Sequence, residues 1–422
     1  MGTESLLVLG ATEFFSPKAY IVTEGVMSTL ITLSRASTGT YYNSVGTLET
    51  ALSGVKRINY PQDGSTDFGL FIEAAATNIC LQSQNVSTTW TNLNTTDDIN
   101  TSGTPAGDST SGQIVVDTAT AAHAIEQTFT GSTSADFCAS VFAKQGDHTD
   151  IYLRLSDTVD TDYIDIIVDL SDGSILQAAT ATGTNSAVTG GGVETLANGW
   201  YRIWVSGICD STTAAHKLVV GISQGTTISY LGNGTDSIFV WGAQLEQNSF
   251  PTSYIATTTV SVTRAADVAT LDLTSVSWFS ATTGSLYVDF KRDINVDGLT
   301  TNIVSLNDTT ANEVIKISQG STTASNITGD IIDGGVSQFS VAVNDATVNA
   351  RKQAAMAWQL NSSAIAVDGS TPTTDTSCTL PTVTDLQIGA GVSATNSFYG
   401  IIRTLVYYDT RLANATLTAF TA

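Results

Sequence analysis

Two strand-like segments of the sequence each carry an aromatic side chain and an arginine on one face. Tyr152 and Arg154 alternate with apolar residues in the first segment, and Arg202 and Trp204 alternate in the same way in the second. Aromatic rings stack on the apolar faces of sugars, and arginine hydrogen-bonds sugar hydroxyls. If the two strands pair, the four side chains form one patch, and we predict carbohydrate binding there. The alternative is that Trp204 belongs to the core.

A series of aspartates follows the first segment, and its oxygen atoms could hold a metal ion. The series comprises Asp157, Asp160, Asp162, Asp165, Asp169 and Asp172. Calcium takes several hard oxygen ligands from flexible loops, so Asp160 and Asp162 are candidate ligands of a structural calcium ion, and no other cofactor is predicted. Two of the carboxylates could instead hydrolyse a glycosidic bond, although such spacing is typical of a solvated strand face.

The residue types that most catalytic sites need are scarce. The chain has three histidines, and it contains no H-E-x-x-H or P-loop motif. Its four cysteines are far apart and form no C-x-x-C pair, which argues against a zinc site or a disulfide scaffold. We therefore predict a non-enzymatic protein whose cysteines are buried free thiols.

Acidic residues strongly outnumber basic ones. The 422 residues include 16 Lys and Arg against 39 Asp and Glu, a net charge of −23, which would repel a nucleic-acid backbone. No apolar run approaches the roughly 20 residues of a membrane span, and the first residues lack the basic flank and apolar length of a signal peptide. The sequence predicts no nucleic-acid binding, no membrane insertion and folding in a cytoplasm.

From about residue 110 onward, the sequence has the pattern of an all-β sandwich protein. Short runs that alternate apolar and polar residues are separated by clusters of Gly, Asn, Asp and Ser. Strands are predicted at 150–156, 163–170, 199–206, 217–222, 237–242, 285–290, 302–306, 314–317, 351–359, 364–367, 386–389 and 400–408. The one predicted helix covers residues 412–420. We expect an all-β fold with two jelly-roll sandwiches.

A set of short motifs occurs in a fixed order over roughly residues 34–268. The motifs are Arg35–Tyr41, Arg57–Tyr60, Gly69–Glu73, Thr77–Ser83, Trp90, Gly199–Arg202, Val240–Glu246, Phe250–Ile255 and Thr263–Asp267. This order resembles a module common in bacteriophage tail-fibre and other virion proteins, with a sandwich like that of carbohydrate-binding modules. The chain departs from the family at Cys80, where the family prefers Leu, and it lacks the coiled-coil stretch of a long fibre shaft.

The remainder is similar to a concanavalin-like or laminin-G-like jelly roll that often follows in such phage proteins. The matching segments are Gly284–Val288, Ala357–Trp358, Val367–Gly369, Leu386–Gly389, Gly400–Arg403, Tyr407–Tyr408 and Arg411–Leu412. Together the two resemblances imply three regions. Residues 1–75 would be a small N-terminal virion-attachment and oligomerisation region, residues 76–268 the carbohydrate-binding-module-like sandwich, and residues 269–422 the second jelly roll.

The resemblance implies a virion protein that is assembled in the host bacterial cytoplasm, contacts other virion structural proteins and forms a homotrimer. The leading hypothesis is a tail fibre or short appendage whose lectin-like sandwiches attach the phage to host surface glycans. One alternative is a structural protein of the capsid decoration, head fibre or collar. The other is a polysaccharide depolymerase that acts through the carboxylates of residues 157–172.

Overall fold

The computed structural model describes residues 16–62, 64–99, 102–133, 135–292, 300–320, 326–343, 350–392 and 397–422. In these ranges the regular secondary structure is almost entirely antiparallel β-strand. The first strands are β1 (Ala19–Thr23), β2 (Val26–Met27), β3 (Thr32–Ser34), β4 (Gly39–Tyr42), β5 (Leu48–Ala51), β6 (Ile58–Asn59), β7 (Gly69–Ile72) and β8 (Ala76–Asn78). The all-β fold predicted from the sequence is confirmed.

The strands of residues 91–264 form the two sheets of the middle sandwich, except for the last one. They are β9 (Thr91–Leu93), β10 (Thr95–Ile99), β11 (Gly112–Val116), β12 (Thr120–Thr130), β13 (Phe137–Gln145), β14 (Asp150–Asp157), β15 (Tyr163–Asp169), β16 (Ile175–Thr182), β17 (Ala187–Thr195), β18 (Trp200–Ile208), β19 (Ala215–Ile222), β20 (Ser229–Leu231), β21 (Ser237–Glu246) and β22 (Val262–Arg264). One sheet has the order β10-β11-β21-β13-β18-β17. The other has the order β16-β15-β14-β19-β12-β20, with β9 also paired to β12, and β22 pairs with β8 outside both sheets.

The remaining strands build the C-terminal sandwich. They are β23 (Val268–Asp272), β24 (Thr283–Arg292), β25 (Thr301–Asn307), β26 (Val314–Gln319), β27 (Ile327–Asp333), β28 (Val336–Val343), β29 (Arg351–Gln359), β30 (Ser362–Val367), β31 (Thr373–Asp375), β32 (Asp385–Ile388) and β33 (Gly400–Tyr408), followed by helix α1 (Asn414–Phe420). Leu417 and Phe420 of α1 are buried in a cluster with Tyr287 and Tyr408 of the neighbouring sheet. No helix in the described ranges is long and apolar enough to cross a membrane.

Strand periodicity and turn chemistry explain these elements. In β14, Ile151, Leu153 and Leu155 point into the core of the middle sandwich, as the period of two requires. In the C-terminal sandwich, β27 and β28 are joined by Gly334 and Gly335 alone, with φ of 59° and 77°. A two-residue turn with two positive φ angles matches the twist of the flanking strands, and glycine adopts it without strain.

The N-terminal strands are shared between the two sandwiches. Strands β1, β2, β6 and β7 belong to the nine-stranded sheet of the C-terminal sandwich, which also contains β24, β29–β31 and β33, while β3 extends the facing sheet, β28-β27-β26-β25-β32-β23. The hairpin β4–β5 instead packs on the middle sandwich, where Tyr42 and Leu48 contact a cluster with Trp200 and Trp241. The described part of the predicted N-terminal region 1–75 thus completes both sandwiches, because its apolar residues pack into the hydrophobic clusters of both. Residues 1–15 lie outside the described residues, and the attachment role stays a prediction.

Five charged side chains form a buried ionic network where the two sandwiches meet. Arg57 donates from Nη1 to Glu73, at 2.6 Å, and from Nη2 to Asp267, at 2.5 Å. Arg35 donates to the other oxygen of Asp267 at 2.8 Å, and Nε of Arg264 lies 3.5 Å from Glu73. All five side chains are at most 1% exposed. Such a network is stable only when every charge has a partner, because each ion has lost its hydration.

Glu73 ties the network to both sandwiches. Ser253, in the loop after β21, donates to Glu73 from its backbone N–H and its hydroxyl at 2.9 and 2.6 Å, and Tyr399, next to β33, donates its hydroxyl at 2.7 Å. Burial by itself raises the pKa of Glu73, but the guanidinium groups of Arg264 and Arg57 and these two hydroxyls outweigh it and lower the pKa to about 2. The carboxylate is therefore ionised in the folded protein even in mild acid.

We expect Glu73 to make folding stability depend on pH. Its pKa is lower in the folded chain than its ordinary value of 4.5, so its contribution is complete above pH 4.5 and is lost as the pH falls through about 2. The advantage of the wild type over Glu73→Gln in free energy of unfolding should narrow by about 2 kcal/mol between pH 6 and pH 3. Urea unfolding of both proteins at the two pH values measures this, and a constant difference would contradict it.

Candidate functional site

A cavity of about 660 Å³ lies between the middle sandwich, the β4–β5 hairpin and the C-terminal sandwich. Its size is within the range of small-molecule sites. One wall is the outer face of β17 and β18 together with Asp136, the second is the hairpin and the segment that follows it to Gln62, and the third is the loop Ser249–Tyr254 with Phe71, Lys291 and Tyr399. Arg202 and Trp204, two of the four predicted sugar-binding residues, line the first wall.

The Trp204 indole lies against the glycine run Gly190–Gly192 of β17, which has no side chains. Gly192 of β17 pairs with Trp204 of β18, and a Cβ atom at Gly192 would lie 3.0 Å from the indole Nε1. A Cβ atom at Gly190 would lie 3.0 Å from Cη2, at the other end of the ring. The two glycines let the ring lie close along the backbone of β17. Trp204 is half-buried and lines the cavity rather than the sandwich core, which is the setting of an aromatic platform for a sugar ring.

Arg202 is fixed in the cavity wall but keeps one donor unused. Its Nη2 donates to Ser140 Oγ at 3.1 Å and to the Thr252 carbonyl at 2.8 Å, and its guanidinium lies 5.3 Å from the centre of the Phe142 ring. Nε is buried and has no hydrogen-bond partner among the described residues. Burial alone lowers the pKa of Arg202, but the neighbouring Tyr42, Glu194 and Glu246 raise it overall, so the group stays charged.

Tyr42 supplies a second buried polar atom without a partner. Its side chain lines the cavity, it is buried, and its hydroxyl has no hydrogen-bond partner among the described residues. Burial, followed by the charge of Glu194, raises the pKa of Tyr42 well above its ordinary value, so the hydroxyl is protonated. Glu194 lies opposite Arg202 across the β17–β18 pair and also lines the cavity. The wall beside Trp204 therefore contains two buried polar atoms without a hydrogen-bond partner among the described residues, Arg202 Nε and the Tyr42 hydroxyl, and the half-exposed carboxylate of Glu194.

Tyr152 and Arg154 lie on the other side of the middle sandwich. Their strand, β14, belongs to the sheet that faces the sheet of β18, and both residues point outward. Tyr152 is buried against Gly221, and Arg154 is occupied by Asp165 at 2.7 Å and by the Tyr163 ring at 3.7 Å. The single four-residue patch that required pairing of β14 with β18 is therefore not formed, because the core of the sandwich separates the two halves.

The two candidate metal ligands also separate. Asp162 lies with Asp157 and Asp210, and one oxygen of each carboxylate falls within 4.8 Å of the others. Asp160 instead accepts a hydrogen bond from Lys217 Nζ at 2.6 Å and another from the hydroxyl of Ser156 at 2.6 Å. Asp160 has a φ of 59°, and the chain turns between the two aspartates. Both oxygens of each of these three carboxylates accept hydrogen bonds from neighbouring N–H or hydroxyl groups. The structural calcium ion therefore stays a hypothesis, and the carboxylates that lie together are Asp157, Asp162 and Asp210 rather than Asp160 and Asp162.

The prediction that the four cysteines are buried free thiols is confirmed. All four cysteines are free and buried. Burial raises the pKa of the Cys80 and Cys138 thiols, and it raises the pKa of Cys209 to about 12. Because the thiolate is the reactive form, these cysteines act as small apolar side chains.

Several cavity residues were not identified from the sequence. They are Tyr42, Asp136, Glu194, Phe250, Lys291 and Tyr399. They come from distant parts of the chain, and no local spacing links them. The run Gly190–Gly192 is the one local signal for the site, since glycines in the middle of a strand mark the close approach of another group.

Comparison with known proteins finds similarity of structure only. No protein-family model matches the sequence, and no curated protein matches it. Among solved structures, the chain is similar to CBM40 of the Ruminococcus gnavus IT-sialidase bound to α2,3-sialyllactose (TM-score 0.30, 14% identity, 34% of this chain and 84% of that chain). It is also similar to the NanB sialidase of Streptococcus pneumoniae (0.31, 13%, 36% and 26%) and to a native heptameric SAP-like pentraxin of Limulus polyphemus (0.28, 13%, 34% and 70%). The chemistry of the cavity is therefore inferred from its own side chains.

Proposed function

We propose that this chain is a glycan-binding protein and that the cavity between its sandwiches is the binding site. The observation that carries the proposal is the Trp204 ring, laid along Gly190 and Gly192 inside a cavity of about 660 Å³. A sugar ring can stack on such a platform while polar groups of the cavity wall hydrogen-bond its hydroxyls. The cavity is large enough for one or two sugar residues, with the rest of a glycan outside.

We further propose that the protein is a component of a bacteriophage virion. It would be a homotrimeric tail fibre or short appendage that attaches to host surface glycans without cleaving them. The ordered motifs of residues 34–268 support this placement by their resemblance to virion proteins. The five residues of the buried ionic network, Arg35, Arg57, Glu73, Arg264 and Asp267, all belong to those motifs. A fixed joint between the sandwiches would hold the cavity in one shape on the virion surface.

The experiment that tests this function is competition for adsorption. Purified protein, shown to be folded, is added in excess to host cells before the parent phage, and unadsorbed phage is counted. We expect inhibition that Trp204→Ala removes. Equal inhibition by the wild type and Trp204→Ala would mean that the protein attaches to host cells through a surface other than the cavity. No inhibition by either protein would favour a structural role on the virion. A light-scattering mass near 44.0 kDa would contradict the homotrimer.

A further inference from the structure

We infer that Glu246 is a positioning residue for the cavity, because its carboxylate holds the loop Ser249–Tyr254 in place and releases part of that hold when it takes up a proton in mild acid. This inference rests on the proposed glycan-binding function, since the cavity is the proposed binding site. It follows from how the loop is anchored and from the surroundings of the two carboxylates that anchor it.

Two consecutive residues of the loop are held in the same way by two different buried carboxylates. Thr252 donates to Glu246, the last residue of β21, from its backbone N–H at 2.8 Å and from its hydroxyl at 2.5 Å. Ser253 donates to Glu73 from the same two groups, at 2.9 and 2.6 Å. Both Thr252 and Ser253 line the cavity. The third wall of the cavity is therefore fixed by one carboxylate of the middle sandwich and one of the ionic network.

The anchor at Thr252 also reaches the first wall of the cavity. The carbonyl of Thr252 accepts a hydrogen bond from Nη2 of Arg202 at 2.8 Å. Arg202 and Trp204 lie two residues apart on the same face of β18. A shift of Thr252 would therefore move the third wall and would also disturb the arginine beside the proposed platform.

The surroundings of the two carboxylates shift their pKa values in opposite directions. For Glu73, the arginines of the network outweigh the effect of burial and lower the pKa to about 2. For Glu246, burial dominates and raises the pKa above its ordinary value of 4.5. The hydrogen bonds from Thr252 and Gln244, followed by the charge of Arg202, offset this burial only in part. Glu246 therefore takes up a proton at a higher pH than Glu73 does.

The other titratable groups around Glu246 do not change their charge in mild acid. Cys138 lies opposite Glu246 in the β13–β21 pair, and Tyr399 of the C-terminal sandwich also lies within its electrostatic reach. Burial raises the pKa of Cys138 and of Tyr399 well above their ordinary values, so both stay neutral. Arg202 of β18 supplies the positive charge that acts on Glu246. As the pH falls from 7 to 4, Glu246 becomes protonated while Glu73 stays ionised.

Protonation weakens the anchor of Thr252. Hydrogen bonds to an ionised carboxylate are about twice as strong as those between neutral groups. The oxygen of Glu246 that takes up the proton also becomes a donor, so the Thr252 hydroxyl can no longer donate to it. Ser253 keeps its two charged hydrogen bonds to Glu73, and the loop is loosened at one of its two anchors.

The first test needs no ligand. Hydrogen exchange of the Thr252 and Ser253 amides is measured at pH 7 and pH 4, resolved to single residues by electron-transfer fragmentation and corrected for the intrinsic pH dependence of exchange. In the wild type, we expect the protection of Thr252 to fall about fivefold relative to that of Ser253. In Glu246→Gln, the ratio of the two protections should be the same at both pH values. A ratio that does not change in the wild type would overturn the loosening of the loop.

The second test measures binding. Affinity electrophoresis at pH 7 in gels that contain dextran, mannan, galactan or hyaluronan selects a polysaccharide that retards the wild type. Isothermal titration calorimetry with this polysaccharide then gives dissociation constants at pH 7 and pH 4. We expect the wild type to bind about fivefold more weakly at pH 4, and Glu246→Gln to bind at both pH values as the wild type does at pH 4.

The melting temperature distinguishes positioning from a role in stability. Burial disfavours the ionised form of Glu246 in the folded protein, so Glu246→Gln should be at least as stable as the wild type at pH 7. Weaker binding by a variant of equal or higher melting temperature is the signature of a positioning residue. Weaker binding together with a lower melting temperature would overturn that role in favour of a structural one.

The remaining outcomes separate the anchor from the glycan function. Loss of Thr252 protection at pH 4 with unchanged binding would overturn the role of Glu246 in positioning the site. An equal fall in binding in the wild type and Glu246→Gln would assign the pH dependence to another group and would also overturn that role. Retardation by none of the four polysaccharides would overturn the proposed glycan function, while the exchange measurement still decides whether Glu246 holds the loop.

Discussion

Arg57→Met will lower the free energy of unfolding by about 3–5 kcal/mol, the cost of breaking a buried ion pair by removing one partner. Arg57 is fully buried and joins Glu73 to Asp267 through two hydrogen bonds. It also donates to the carbonyl of Thr40 at 2.8 Å, at the base of the β4–β5 hairpin. Methionine fills much of the volume but leaves the buried carboxylates of Glu73 and Asp267 with one arginine partner each, Arg264 and Arg35. Thermal and urea unfolding of both proteins measure the loss.

Two further variants control this prediction. Lys56 is the exposed neighbour of Arg57, and Lys56→Met should change the free energy of unfolding by less than about 0.5 kcal/mol. Arg57→Lys keeps the charge but has no planar fork to reach both carboxylates, so its stability should lie between the wild type and Arg57→Met. A loss below about 1 kcal/mol in Arg57→Met would show that Arg35 and Arg264 neutralise the joint without it.

The ionic network gives a physical reason for the motifs that carry the family resemblance. Arg35 and Asp267 are separated by 232 residues and form an ion pair at 2.8 Å. Arg57 and Glu73 come from the motifs between them, and Arg264 precedes Asp267 in the last one. These residues are buried and paired where the two sandwiches meet. The part of the resemblance that these residues carry therefore concerns architecture, and the proposed glycan site rests on the side chains of the cavity.

The strands could be predicted from the sequence because their signals are local. The predicted segments 150–156 and 400–408 correspond to β14 (Asp150–Asp157) and β33 (Gly400–Tyr408). The alternation of apolar and polar residues along 150–156 also predicts that Tyr152 and Arg154 point away from the core of the middle sandwich, and this prediction is correct. Period-two patterns report which residues share a face of one strand, and this information needs no knowledge of the neighbouring strand.

The partners of each strand could not be predicted in the same way. The patterns of β14 and β18 are alike, yet one strand pairs with β15 and β19 and the other with β13 and β17. Pairing depends on contacts that are distant in the sequence, so the patch of four residues was divided between two outer faces. The cavity was missed for the same reason, since Tyr42, Trp204 and Tyr399 meet only in the folded chain.

Trp204→Ala should weaken binding of the wild-type polysaccharide ligand by about 30-fold, because a central aromatic contact in a binding site is worth about 2 kcal/mol or more. The variant loses the platform but not a core residue, since Trp204 is half-buried and lies outside the main core of the middle sandwich. Dissociation constants from gels of graded polysaccharide concentration measure the effect. The matched control is Tyr163→Ala, which removes a half-buried aromatic ring from the opposite face and should bind like the wild type.

A second variant separates the presence of the ring from its position. Gly192→Ala keeps the indole but places a Cβ atom 3.0 Å from Nε1, so the ring must shift away from β17 by a few tenths of an ångström. Binding should weaken about tenfold, between the wild type and Trp204→Ala, because stacking depends on the plane of the ring. Equal binding by the wild type and Trp204→Ala would remove the cavity as the glycan site. Full binding by Gly192→Ala with loss in Trp204→Ala would mean that the ring acts through its apolar area and not through the orientation that the glycines allow.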